Sequence, residues 1–65
     1  MATTMGIKLK TLREARGWSR EELARRAKLS RMHVWKIETG RSDPTVGVVR
    51  RLAKALRVSV TRLLR

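Results

Sequence analysis

No cysteine occurs in these 65 residues, so neither a disulfide nor a thiolate metal site can hold the fold, and nothing in that count argues for secretion. Tyrosine, phenylalanine, asparagine and glutamine are also missing, and two tryptophans are the whole aromatic content. One histidine and five acids cannot assemble a nucleophile–base pair or a metal cluster, and no phosphate-cradling glycine loop is present; an enzyme is excluded on these grounds. No apolar run approaches the roughly 20 residues that span a bilayer, and no signal-peptide core is visible, so a cytoplasmic location is expected. The scarcity of acid matters most. Against 17 lysines and arginines it leaves a formal charge of +12, which predicts attraction to a polyanion. Nucleic acid is the first candidate, with an acidic membrane or protein behind it. A membrane-active peptide would need one large amphipathic face, and this chain breaks instead into several short capped segments. The length fits one domain over 1–65, stabilised by helix packing and caps, with 1–5 expected as a frayed arm.

The stretch Ser19–Gly40 organises the rest. Ser19 is a good N-cap, Glu22 completes a capping box, and Trp18 and Leu23 are spaced as a hydrophobic staple. Leu23, Ala24 and Ala27 form an apolar stripe at helical spacing. The pattern restarts with Ser30 as cap and Leu29 placed to staple onto Val34. Val34 and Ile37 continue it until Thr39-Gly40 ends the helix. Two capped helices separated only by Lys28-Leu29 must cross steeply, which is helix-turn-helix geometry.

Around this unit, Met5, Leu9 and Leu12 share one face of a first helix ending near Gly17, with Ile7 on the opposite face. Glu21–Arg25 and Glu22–Arg26 stand in the favourable i,i+4 order. Thr45 caps a fourth helix with the stripe Val49, Leu52, Ala53 and Leu56. Val58-Ser59 opens a last short helix that seals the core with Val60 or Leu63. At 100° per residue, Val34 and Ile37 point inward with His33 beside them, and His33 reads as a partly buried core residue. Arg31, Met32, Trp35, Lys36 and Thr39 cluster on the opposite side, with no acid among them.

In order and spacing, Leu9-x-x-Leu12-Arg13-x-x-Arg16-Gly17-Trp18-Ser19, Glu22-Leu23-Ala24, Leu29-Ser30, Val34, Ile37-Glu38-x-Gly40, Pro44-Thr45, Leu52-Ala53-Lys54-Ala55-Leu56 and Val58-Ser59 carry a family likeness over residues 6–64. The chain resembles the lambda-repressor-like family of bacterial and phage helix-turn-helix regulators. That resemblance implies an all-α, five-helix domain that binds double-stranded DNA in a sequence-specific way, without a cofactor. It also implies a repressor, working as a homodimer on a two-fold operator. Within the family pattern, Arg31, Met32 and Lys36 face base edges with Trp35 beside them. Arg31 and Lys36 donate to guanine and Met32 meets a thymine methyl. Arg20 takes the place of a family glutamine that contacts a phosphate, and Ser19, Ser30, Thr39, Arg41, Ser42 and Thr45 complete the backbone set. Arg13 and Glu38 are expected to form an internal ion pair. Lys28 and Arg57 stand at helix ends; the family commonly has glycine with positive φ in the place of Lys28, and Arg57 repeats the substitution at a second helix end. Leu64 and its surroundings are the dimer candidates, and an acidic protein, as for an antitoxin subunit, is the alternative partner.

Overall fold

Hydroxyls start the helices. The side chains of Thr3, Ser19, Ser30 and Thr45 each accept a backbone N–H three residues on, at 3.0–3.3 Å. They open α1 (Thr4–Ala15), α2 (Arg20–Ala27), α3 (Arg31–Glu38) and α4 (Val46–Leu56). Ser59 does the same, through Arg62 N, for α5 (Val60–Leu64). The structure, a computed structural model, describes residues 3–64, and within them there are only helices and connecting turns. The sequence expects disorder through Met5. Instead Thr3 caps α1, and Met5 packs against the core, because a free hydroxyl one turn before Gly6 is enough to start the helix. Met1 and Ala2 lie outside the described residues.

The same device ends the first four helices. In each, the residue just after a left-handed one donates to the carbonyl five positions back: Trp18 N to Arg13 O, Leu29 N to Ala24 O, Arg41 N to Lys36 O and Val58 N to Ala53 O, at 2.8–3.2 Å. This Schellman arrangement needs one left-handed residue. Glycine fills that place after α1 and α3 (Gly17 φ 70°, Gly40 φ 76°), but Lys28 and Arg57 fill it after α2 and α4 (φ 58° and 57°). A side-chain-bearing residue held there costs about 1–2 kcal/mol relative to an unstrained one. Glycine recovers part of that, offset by its greater freedom in the unfolded chain. Lys28→Gly is therefore expected to stabilise the fold by about 0.5–1 kcal/mol in a thermal melt. An unchanged or lower Tm would show that the lysine side chain makes up for the strain.

Leu9, Leu23, Val34, Ile37, Leu52, Leu56 and Leu63 are fully buried, with Val48, Val49 and three alanines around them. The predicted stripes are thus the core, and of the two candidates in α5 it is Leu63 that seals it, while Val60 is half-buried. Helix α1 packs on α3 and α5, α2 on α3 and α4, and α4 on α5. Trp18 and Leu29 rest against this core, as the staples require. Arg16 ties the end of α1 to the end of α4 through a hydrogen bond to the Leu56 carbonyl. The Trp18 ring also carries Arg26, its guanidinium carbon 4.2 Å from the ring centroid.

Two expectations on α2 are corrected. Arg25 pairs with Glu22, not Glu21, so a single carboxylate holds both Arg25 (2.5 Å) and Arg26 (2.7 Å). Three-residue spacing brings side chains as close as four-residue spacing does, and Glu22 is already fixed by Arg26. The capping box is accordingly half-formed: Ser19 accepts from Glu22 N, but the Glu22 carboxylate turns to the arginines. The Arg25 hydrogen bond, reinforced by Arg26, holds the Glu22 carboxyl below the ordinary carboxylate range. A depressed folded-state pKa contributes stability above the unfolded value of about 4.3, and that contribution disappears as pH falls through the folded value.

Candidate nucleic-acid interface

The site is positioned by a buried carboxylate. Glu38, at the end of α3, has a side chain 1 % exposed. Arg13 of α1 grips it with two bonds, Nε to Oε2 at 2.7 Å and Nη2 to Oε1 at 3.2 Å. The remaining Arg13 nitrogen, Nη1, donates to the Trp18 carbonyl at 2.7 Å, so one guanidinium joins α1, α3 and the loop before α2. This is the predicted ion pair. The sequence did not show that Arg20, at the first position of α2, donates Nε to the same carboxylate at 3.0 Å. The carboxylate therefore lies under two arginines, which keeps the only acid of α3 off its outer face.

That outer face presents Arg31, Met32 (58 % exposed) and Lys36, with Trp35 half-buried between them. Two shallow hollows flank it. One, of 270 Å³, is lined by Arg20, Arg31, Met32 and Trp35. The other, of 310 Å³, is lined by Ser30, Met32, His33, Lys36 and Ser42. Met32 is the ridge between them. Arg41 lies over the Trp35 ring, 5.0 Å from its centroid, and carries the cationic surface onto the loop after α3. The structure thus brings together the four residues assigned to bases, and beside them Arg20, Ser30, Arg41 and Ser42. Ser19 and Thr45 line neither hollow. His33, half-buried as expected, also lines the second hollow, which no periodicity of α3 alone would reveal.

Hydroxyl chemistry divides the backbone candidates. Ser19, Ser30 and Thr45 accept a cap bond on a lone pair and retain the hydroxyl proton for an outside acceptor such as a phosphate oxygen. Thr39 is different, because its hydroxyl donates to the Trp35 carbonyl at 2.8 Å. Among the described residues no group of acids and histidine could hold a metal ion, and no helix is long and apolar enough to cross a membrane. The arrangement is a cationic, donor-rich ridge with apolar patches, suited to binding a polyanion and contacting flat apolar groups.

Comparison with known proteins bears on this surface. Residues 4–65 match the family model described as a helix-turn-helix domain. Among solved structures, the restriction-modification controller protein C.AhdI from Aeromonas hydrophila is 33 % identical with a TM-score of 0.90, covering 92 % of this chain and 91 % of that one. A hypothetical transcription factor, NHTF from Neisseria, is 32 % identical with a TM-score of 0.91, covering 95 % and 71 %. The N-terminal DNA-binding domain of SinR from Bacillus subtilis is 28 % identical with a TM-score of 0.90, covering 95 % and 91 %. No curated protein matches the chain.

Proposed function

The chain belongs to the lambda-repressor-like helix-turn-helix family of non-enzymatic, DNA-binding transcription regulators, and on that premise we propose that it reads a specific duplex sequence by seating α3 in the major groove. The observation that carries this reading is the acid-free outer face of α3, where Arg31, Met32, Trp35 and Lys36 stand together over a carboxylate hidden beneath. Arg31 and Lys36 donate to guanine O6 and N7, and Met32 packs on a thymine methyl. Trp35, braced by Arg41, packs beside them. Arg20, with Nε held by Glu38 and its two terminal nitrogens outside that bond, takes a phosphate, as do Ser19, Ser30, Arg41, Ser42 and Thr45. Thr39, whose proton is engaged on its own helix, supports the groove face only as an acceptor or by contact. A domain filling the groove in this way denies the site to other proteins, which is repression by occupancy.

Binding of Arg31→Ala and Lys36→Ala to an operator selected from a random pool, and to scrambled DNA at the same salt, tests the reading. Each variant should lose about 1–3 kcal/mol on the operator and far less on scrambled DNA, because a base contact exists only at the right base. Equal loss on both would reduce α3 to a charged surface. Leu64, 61 % exposed at the end of the last helix, supports a homodimer that places two α3 helices on a two-fold operator. Its half-sites should lie about 34–36 Å apart, and inserting half a helical turn between them should abolish cooperative binding. A half-site bound as tightly as the whole operator would make the working unit a monomer.

A further inference from the structure

A second cationic surface lies where α2 and α4 end. Arg26 and Lys28 on one side, and Arg51, Lys54 and Arg57 on the other, line a basin of 440 Å³ that includes no acid and none of the residues assigned above to bases. Helix α2 separates the two surfaces: its first residue, Arg20, lines a hollow of the α3 face, while its last turn lines the basin, about 12 Å along the axis. Arg26 is engaged by Glu22 and Trp18. None of Lys28, Arg51, Lys54 and Arg57 pairs with a carboxylate among the described residues.

Neutralising helix ends does not account for this charge. Two helix C-termini carry about half a negative charge each, roughly −1 in all. Four full positive charges meet them. Arg51–Lys54 is moreover a like-charge pair at three-residue spacing within α4, which repels. The backbone adds an independent observation. Lys28 and Arg57 are the only non-glycine residues with positive φ among those described, and both line this one basin. Charge crowding and backbone strain, each unfavourable to the fold, coincide at one place, as they do where a surface is kept for binding.

We propose that the basin is a second nucleic-acid site, which holds the sugar-phosphate backbone of a duplex other than the one read by α3. Two cationic rows on either side of a trough fit a linear chain of phosphates, and DNA is already the partner of this family. The site is indifferent to sequence, since it offers charges and no ordered pattern of donors to base edges. One molecule then links two DNA segments. This goes beyond the reading of α3 and does not depend on which bases are read.

The experiment immobilises the selected operator duplex, saturates it with protein, and measures capture of a second, labelled duplex of unrelated sequence. Lys28→Gly/Arg57→Gly and Arg51→Gln/Lys54→Gln should each lower capture by about tenfold at moderate salt and reduce its salt slope by nearly two units, as expected for two lost phosphate contacts. Affinity for the first duplex should stay within about twofold, because neither pair touches the α3 face. The glycine pair should at the same time raise Tm by roughly 4–8 °C, so lost capture cannot be ascribed to unfolding. Lys28→Arg should retain capture. Undiminished capture by both double variants would overturn the proposal. So would an equal loss on the first duplex, which would make the basin part of a single interface. Displacement of the second duplex by poly-glutamate as readily as by unlabelled DNA of equal charge would overturn it in favour of an acidic protein. Failure of the α3 reading registers separately, as wild-type protein without preference for the selected operator.

Discussion

Glu38→Ala is expected to destabilise the protein by about 3–5 kcal/mol, the range for removing one partner of a buried ion pair. The cost does not come from losing a favourable charge pair as such, since buried pairs roughly break even against apolar packing. It comes from what is left behind. Arg13 is itself 7 % exposed and would keep a guanidinium with two unsatisfied nitrogens in a closed space, with only the Trp18 carbonyl still bound. Arg20 would lose its anchor as well. Small domains are stable by about 5–15 kcal/mol, and one this short stands at the low end, so the variant should be largely unfolded at modest temperature. Arg13→Ala/Glu38→Ala should cost much less than the sum of the single changes, because no orphaned charge remains. Glu38→Gln separates charge from shape: it keeps an acceptor for Arg13 but should loosen Arg20, so operator affinity should fall even where the fold survives. Strict additivity of the two alanine changes in denaturant titrations would refute the coupling.

Gly6→Ala should have the opposite sign from what helix propensity predicts. Alanine is favoured over glycine inside a helix by about 1 kcal/mol, and Gly6 lies within α1. Yet a Cβ built there comes 2.6 Å from the Ile37 carbonyl oxygen and 2.7 Å from that of Glu38. These are backbone atoms at the end of α3, so no side chain can swing aside. Helix α1 would have to move off α3, at the 1–3 kcal/mol or so typical of overpacking a core. That movement acts on the helix that reads DNA and on the carboxylate that anchors it, so weaker operator binding should accompany the lower stability. Gly47→Ala is the internal control. In the first turn of α4, its Cβ would find nothing nearer than Thr45 Oγ1 at 3.9 Å, and the same substitution should stabilise by about 0.5–1 kcal/mol. A Gly6→Ala protein as stable as the parent in a denaturant titration would mean that the two helices do not meet this closely.

Periodicity, caps and stops were enough to place five helices, because each rests on interactions within a few residues: Ser19 with Glu22 N, Ser30 with His33 N, and the leucine and alanine stripes. Family likeness, more than any local pattern, paired Arg13 with Glu38, twenty-five positions away. The acid-free outer face of α3 was likewise legible, since 100° per residue fixes which side chains share a side. What the residues could not show is what lies across a gap in sequence. Arg20 joining Glu38, Gly6 admitting the end of α3, and His33 and Ser42 lining one hollow each bring together groups from different helices or loops. Lys28 and Arg57, twenty-nine positions apart, are two separate helix ends in the chain, and only packing of α2 on α4 puts them in one basin. Local hydrogen bonds and side-chain period determined the elements and their faces; the tertiary structure alone decided which charges are neighbours, because electrostatic and steric contact depend on distance in space, which sequence order does not encode.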